Sequence, residues 1–457
     1  MVWRNCRSDK GLCRFARVLG FGWDMEIRAF RGFRYDAGVA GDPGRCVAPP
    51  YDVIGEQQRQ MLYARSPYNV VRIIRGKVKA DGQDQYAQAA EYFRRWIEGG
   101  VLRQDSAESI YGYVQDFELG GERLQRLTFV AAGKLEDFGA VVRPHERILD
   151  EPMQDRLNLT RATEAQFGLV FMLYRDPERV ADEVIRQAAE AAALVDYTDE
   201  QAVRHRLFGI TGQRQIDAIV EMMRDKSVII ADGHHRYTTG LRYAAESGKA
   251  SARYQMIAFT NTEQPGLVVL ATHRLVGGVG GFEINRLVGA LEKNFAVRAF
   301  AFGGRAEKAA ARERMLSAMR AEYEGGGTAI GIYGGGGAFY VAVLRDGGAM
   351  EAALPGASAA YRGLDVAVLH KLILEELLGI DDEALAKGGK LEYIKDTLTA
   401  IDEAVDRVDS GLKQAAFFTN PVRLEQLVEV TEAGERMPQK STYFYPKMYT
   451  GLVMNKL

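Results

Sequence analysis

Apolar positions three to four residues apart mark one class of segment along this chain, and short β-branched or aromatic runs mark another. Tyr86, Ala90, Phe93 and Ile97 predict a helix over residues 80–100, stopped by Gly99-Gly100. Helical spacing recurs over residues 177–193, 284–295, 305–323 and 366–378. The runs IYGYVQDFEL and LQRLTFVAAGKL flank Gly120-Gly121, which predicts a hairpin with a two-residue glycine turn. AQFGLVFMLY from Ala165, VIIA from Val228, LVVLA from Leu267, AIGIY from Ala329 and FYVAVL from Phe339 read as further strands. This interleaving predicts an α/β or α+β fold with mixed sheets and flanking helices.

A length of 457 residues predicts two or three packed domains. The pattern divides as residues 1–24, a disordered tail or a mis-assigned start; 25–142, an N-terminal α+β region; 143–276, a central region rich in His and Arg; and 277–457, a C-terminal α/β region. Basic residues interrupt every apolar run in the first 24 residues, so no secretory segment is expected there. The formal net charge of −2 supplies no global field for nucleic acid or an anionic membrane, and neither is an expected partner. Cys6, Cys13 and Cys46 form no Cys-x-x-Cys pair, which argues against a disulfide framework or a zinc site and for a reducing cytoplasm.

Chemistry concentrates where the Val228 strand runs into Asp232-Gly233-His234-His235-Arg236 and then an amphipathic stretch ended by Gly248. A strand end that becomes a helix start offers backbone donors to a phosphate, and Arg236 adds a bidentate contact. Asp232, His234 and His235 are candidate catalytic groups, with Gly233 and Arg236 as phosphate or nucleotide contacts. The competing reading is that Asp232 caps the helix and the histidines fill its first turn. The glycine run Gly334–Gly337 lies between two strands and reads as a hairpin loop instead of a phosphate loop.

Other clusters add candidates. In Arg143-Pro144-His145-Glu146-Arg147 a proline-broken loop could position a proton through His145 or Glu146 and an anion through Arg147, or be an ion-paired turn. His273 and Arg274 follow the Leu267 strand; were the strands ending at Ala231 and Ala271 neighbours, both His/Arg pairs would open on one sheet edge. Tyr51, Asp52, Asn69 and Arg72 follow prolines in stiff segments suited to substrate contacts or to plain connections. Lys440, Ser441 and Thr442 open an aromatic-basic stretch, with Lys447 further along, able either to bind phosphate or to dock as a last strand. His370 sits in an apolar helical stripe and reads as a core histidine. No fixed-geometry metal spacing occurs; no zinc, haem or flavin is expected, whereas Mg2+ arriving with ATP or ADP is compatible.

The ordered motifs EIRAFRGFRY, APPYDVI, ARSPYNVVRI, RPHERIL, RATEAQFGLVF, VRHRLFGIT, ADGHHRYTTGLRY, THRLV, LDVAVLH and MPQKSTYFYPKMYTGLV resemble a bacterial and archaeal family, domain of unknown function 1015, from about Met25 to Leu457. Locally, Asp232 to Arg236 resembles the strand-to-helix motif of the ParB, sulfiredoxin and free-serine kinase superfamily. That resemblance implies a ParB/sulfiredoxin-like core, Gly233 to Arg236 facing phosphates, and Asp232 as base or metal contact. His234 stands where sulfiredoxin has its catalytic Cys, so sulfinic acid reduction is not implied. The expectation is a phosphoryl-transferring or phosphoryl-removing enzyme of a small metabolite, serine or phosphoserine first. The alternatives are a nucleotide-responsive regulator and, behind it, a DNA-binding protein; a homodimer stays open.

Overall fold

The computed structural model describes residues 24–77, 84–146, 150–381, 383–384, 388–397 and 399–457. The expected tail over residues 1–23 and Arg147 lie outside the described residues. The chain forms two compact units, one from the described parts of Met1–Pro144, Ile148–Val268 and Pro446–Leu457, the other from His145–Arg147 and Val269–Tyr445.

The first unit is built on a nine-stranded mixed sheet. Its order is Val142–Pro144, Val228–Asp232, Val170–Tyr174, Tyr254–Asn261, Glu122–Lys134, Ile110–Leu119, Arg204–Ile210 and Val195–Thr198, with Ile27–Arg28 also paired to Glu122–Lys134. Ile110–Leu119 and Glu122–Lys134 are the expected hairpin, its turn made by Gly120 and Gly121 at φ 61° and 84°. Both angles are left-handed, which a two-residue turn of this kind requires and glycine adopts without a Cβ clash. Phe129, Val170, Met172, Ile230, Ile257 and Phe259 fill the core on one face. Each such side chain contributes about 1.5–3 kcal/mol when fully buried.

The helix Gln85–Glu98 is held at its start by Asp84, whose side chain accepts from Ala87 N. It buries Ala89, Phe93 and Trp96, so its inward face is rotated from the expected Ala90 and Ile97 toward the larger indole. The stretch from Ala165 is two strands, not one. Ala165–Gln166 pairs with Asn455–Lys456, and Val170–Tyr174 joins the main sheet.

The second unit contains a six-stranded antiparallel sheet in the order Phe295–Ala301, Ala338–Leu344, Ala329–Tyr333, Ala415–Phe418, Thr272–Val276 and Leu391–Lys395. The helix Arg305–Glu324 packs on it through Ala311, Met315 and Met319. Gly334–Gly337 form the expected hairpin loop between Ala329–Tyr333 and Ala338–Leu344. Of the strands expected to end at Ala231 and Ala271, Val228–Asp232 lies in the nine-stranded sheet whereas Val268–Leu270 pairs with Tyr443–Tyr445 in a separate two-stranded sheet, so the two are not neighbours. Among the described residues no helix is long and apolar enough to cross a membrane.

Candidate functional site

The strand Val228–Asp232 is buried until its last residue, where a bulge between Ile230 and Asp232 shifts its register against Val170–Tyr174. A bulge re-aims the side chain that follows it, here Asp232. Gly233 then turns the chain at φ 93° into the helix His234–Ser247. Glycine is required twice over: the angle is left-handed, and a Cβ would lie 2.9 Å from Arg236 Nε. The Arg236 side chain folds back across Gly233, donates to the Leu169 carbonyl and places Nη2 3.2 Å from Asp232 Oδ1. Leu169 O is available because Phe167 to Leu169 interrupt the two strands on either side.

Lys447 Nζ donates to the other carboxylate oxygen, Asp232 Oδ2, at 2.7 Å. Burial alone would raise the Asp232 pKa, but Lys447, Arg236 and His234 outweigh it and hold the carboxyl well below its usual range. Such a carboxylate is a weak base. It anchors two cations in place.

Lys447 is itself set by a buried network. Arg126, fully buried on Glu122–Lys134, donates to the Pro446 carbonyl and to Gln115 Oε1, and Gln115 Nε2 donates to the Lys447 carbonyl at 3.1 Å. Burial pushes the Arg126 pKa down to about 10, so it stays charged at neutral pH. Beside Gln115, His205 joins Tyr113 and Asp199. Tyr113 Oη is 2.6 Å from His205 Nδ1, and His205 Nε2 is 3.1 Å from Asp199 Oδ2. Burial lowers the His205 pKa despite Asp199, and raises that of Tyr113. The consistent proton placement is therefore a neutral imidazole that donates from Nε2 to Asp199 and accepts at Nδ1 from the Tyr113 hydroxyl. Tyr197 stacks on the imidazole at 4.8 Å and 8°, and the Tyr449 ring lies 4.5 Å away.

Arg236 lines a half-open cleft with a cavity volume of about 60 Å³, together with Tyr51, Arg156, Thr160, Thr239 and Gln255. The Arg156 guanidinium lies over the Tyr51 ring, 4.0 Å from its centroid, and its Nε donates to Asp155 at 2.8 Å. Burial raises the Tyr51 pKa, with Arg156 and Arg236 opposing it. The hydroxyl stays protonated at neutral pH.

Of the residues singled out from sequence, the structure brings Asp232, Gly233, His234, His235 and Arg236 together at the strand-to-helix junction and sets Tyr51 in the cleft. His234 is buried and His235 half-buried. Asn69 is a structural brace, donating to the Arg45 and Val47 carbonyls and accepting from Val71 N. Asp52 is exposed, and Arg72 donates to the Tyr63 carbonyl and lies over the Tyr63 ring. The remaining candidates belong to the second unit. There His145 Nε2 is 2.9 Å from Thr442 Oγ1 and 3.7 Å from Glu146, and Ser441 donates to the Pro438 carbonyl. Arg274 is fully buried and donates to the Thr272, Gln439 and Lys440 carbonyls, while His273 is buried near Asp396 and accepts from Thr419 N. His370 has its pKa pushed down to about 3 by burial and by Arg274, so it is a neutral imidazole. Its Nε2 has no hydrogen-bond partner among the described residues.

Among the described residues no group of three or more His, Cys, Asp and Glu could hold a metal ion. Both oxygens of Asp232 are engaged by cationic side chains, so the junction does not fit a magnesium ion held by this carboxylate. Sequence reasoning did not connect Lys447 to Asp232, and it missed Arg126 and Arg156 altogether. The pairing of Lys447 with Asp232 spans 215 positions, which no local pattern signals.

Residues 27–367 match the family model described as Protein of unknown function (DUF1015). No curated protein matches the chain. Among solved structures, a free serine kinase variant in complex with AMP is 13% identical with a TM-score of 0.33, over 66% of this chain and 83% of that one. A conserved hypothetical protein from Pyrococcus furiosus is 12% identical at TM-score 0.31, over 67% and 88% of the two chains. A C-terminally truncated SbnI from Staphylococcus aureus is 9% identical at TM-score 0.32, over 70% and 84%.

Proposed function

Because the chain belongs to DUF1015, a family whose description carries no reaction, we propose a function from the chemistry of the cleft: binding of a phosphorylated small molecule and transfer or removal of its phosphoryl group. The observation that carries this reading is Arg236. Its guanidinium lines the cleft beside the start of a 14-residue helix, pre-oriented by Asp232 and Leu169 O. A fork already fixed in place binds phosphate oxygens with little ordering cost, and the helix N-terminus favours the same charge.

In this reading Asp232 is a positioning residue, because its lowered pKa makes it a poor proton acceptor. His235, half-buried in the first helical turn, is not among the residues that line the cleft, and no proton-moving step is assigned to it. The rest of catalysis is orientation and electrostatics, as phosphoryl transfer needs. The resemblance of the Asp232 to Arg236 motif makes serine and phosphoserine the first substrates to try, with ATP, ADP or pyrophosphate as donors.

Titration calorimetry and product analysis with this panel test the proposal. Arg236→Ala is expected to weaken phosphoryl-ligand binding by about 10- to 100-fold, the worth of a charge-assisted contact. Unchanged affinity in that variant, or no binding of any member of the panel, overturns it. Tight binding without product would assign the cleft to a nucleotide-responsive regulator.

A further inference from the structure

Three arginines line one hollow adjacent to the Arg236 cleft. Arg59 comes from the helix Glu56–Arg65, Arg75 from the residue that ends the short helix Val71–Ile74, and Arg156 from Asp150–Thr163. They line a second hollow with Tyr86, Asp155 and Leu159. Among the described residues the lining carries three arginines against one carboxylate, Asp155, which is already engaged by Arg156 and by the Tyr86 hydroxyl at 2.8 Å. Arg59 pairs at 2.7 Å with Glu56, a largely exposed carboxylate. Arg75 donates to the Tyr51 carbonyl at 3.1 Å and has no carboxylate within ion-pair distance among the described residues. The Nε atoms of Arg59 and Arg75 are buried and have no hydrogen-bond partner there. Three guanidiniums around one already engaged carboxylate leave this hollow with a net positive lining among the described residues, which an anion would offset.

From this convergence we infer that Arg59, Arg75 and Arg156 form a second anion-binding subsite, one that takes a phosphate or carboxylate group. Tyr51, Ile74, Arg156 and Leu159 line both hollows, so the two are adjacent, and the groove the proposal needs runs past these four residues. Resting on the reading of Arg236 as the first anion contact, the groove then suits a small molecule with two anionic groups on a neutral or apolar spacer. Arginine forks at both ends favour planar, bidentate oxygen pairs, and Ile74 and Leu159 line the stretch between.

The test uses the full chain with inorganic phosphate and with hexane-1,6-diol bisphosphate as probes, read by equilibrium dialysis and calorimetry. Two phosphates per chain are expected. Arg75→Gln removes one and Arg236→Ala removes the other. The bisphosphate should bind at least tenfold tighter than phosphate in the native chain, and Arg75→Gln should remove that gain. A single phosphate lost in Arg236→Ala but kept in Arg75→Gln overturns the second subsite; a single phosphate lost in Arg75→Gln but kept in Arg236→Ala supports it and overturns the Arg236 reading. No phosphate binding overturns both. Should Arg75→Gln fail to fold by circular dichroism, Arg59→Gln on the outer helix carries the same comparison, and Arg75→Lys separates charge from fork geometry.

Discussion

Two buried aspartates in the first unit have opposite protonation behaviour for reasons visible in their neighbours. Asp232 is faced by Lys447 and Arg236 and is held ionised, whereas Asp182 has only a 3.4 Å contact from Asn261 on one oxygen and no partner on the other. Burial therefore raises the Asp182 pKa from 3.8 to about 6. Its folded value lies above its unfolded one, so it costs nothing below pH 3.8, costs progressively more up to about pH 6, and costs its full amount above. A shift of that size is worth about 3 kcal/mol at most. Asp182→Asn is expected to raise stability by ~1–3 kcal/mol at pH 8 and to leave it nearly unchanged at pH 4; urea denaturation at the two pH values decides, and equal effects would reject the argument. Lys447→Met acts in the other direction, since it leaves Asp232 with Arg236 alone. A loss of about 1–3 kcal/mol is expected from breaking one side of a mostly buried pair, measured by thermal unfolding at pH 7. The Asp232 to Arg236 segment could be read from sequence because strand, glycine turn and helix are contiguous there. The lysine that completes it could not, because tertiary folding alone brings it near.

At the scale of elements, the junction between Val228–Asp232 and His234–Ser247 depends on a residue with no side chain. Gly233→Ala is expected to cost about 1–2 kcal/mol from its left-handed backbone and also to push Arg236 away, because the new methyl would meet Arg236 Nε at 2.9 Å. Gly248 ends the same helix at φ 64°, and a methyl there would find nothing within 4 Å. Gly248→Ala should therefore show the same stability loss with unchanged phosphate binding, while Gly233→Ala loses at least tenfold in affinity. Equal affinities in the two variants would separate Gly233 from ligand binding. Hairpins at Gly120-Gly121 and Gly334–Gly337 were legible for the same local reason. The break within residues 165–174 was not: there the Leu169 carbonyl accepts from Arg236 and the Phe167 carbonyl from Gly451 N, contacts that come from distant parts of the chain.

For the whole molecule, the first unit is discontinuous, since Pro446–Leu457 returns to it after the entire second unit. That return supplies Lys447 to Asp232, the Asn455–Lys456 strand to Ala165–Gln166, and Met454 to the core around Phe33 and Phe93. A chain ending at Tyr445 is expected to lose more than 10 °C in the unfolding midpoint of this unit, followed by tryptophan fluorescence from Trp96. A midpoint within 2 °C of the full chain would show that the segment is dispensable. The periodic patterns gave the longer helices and the strands of both hairpins, but this closure joins parts of the chain that share no periodic signal.

The same return imposes an order in time. At roughly 5–20 residues per second, the 215 positions between Asp232 and Lys447 delay the last segment by about ten to forty seconds after the Asp232 strand is synthesised. Throughout that interval the nascent chain carries Asp232 and Arg236 without Lys447, so the Asp232 ion-pair cluster is assembled last. A chain released before Lys447 is thus born with Asp232 lacking its lysine partner.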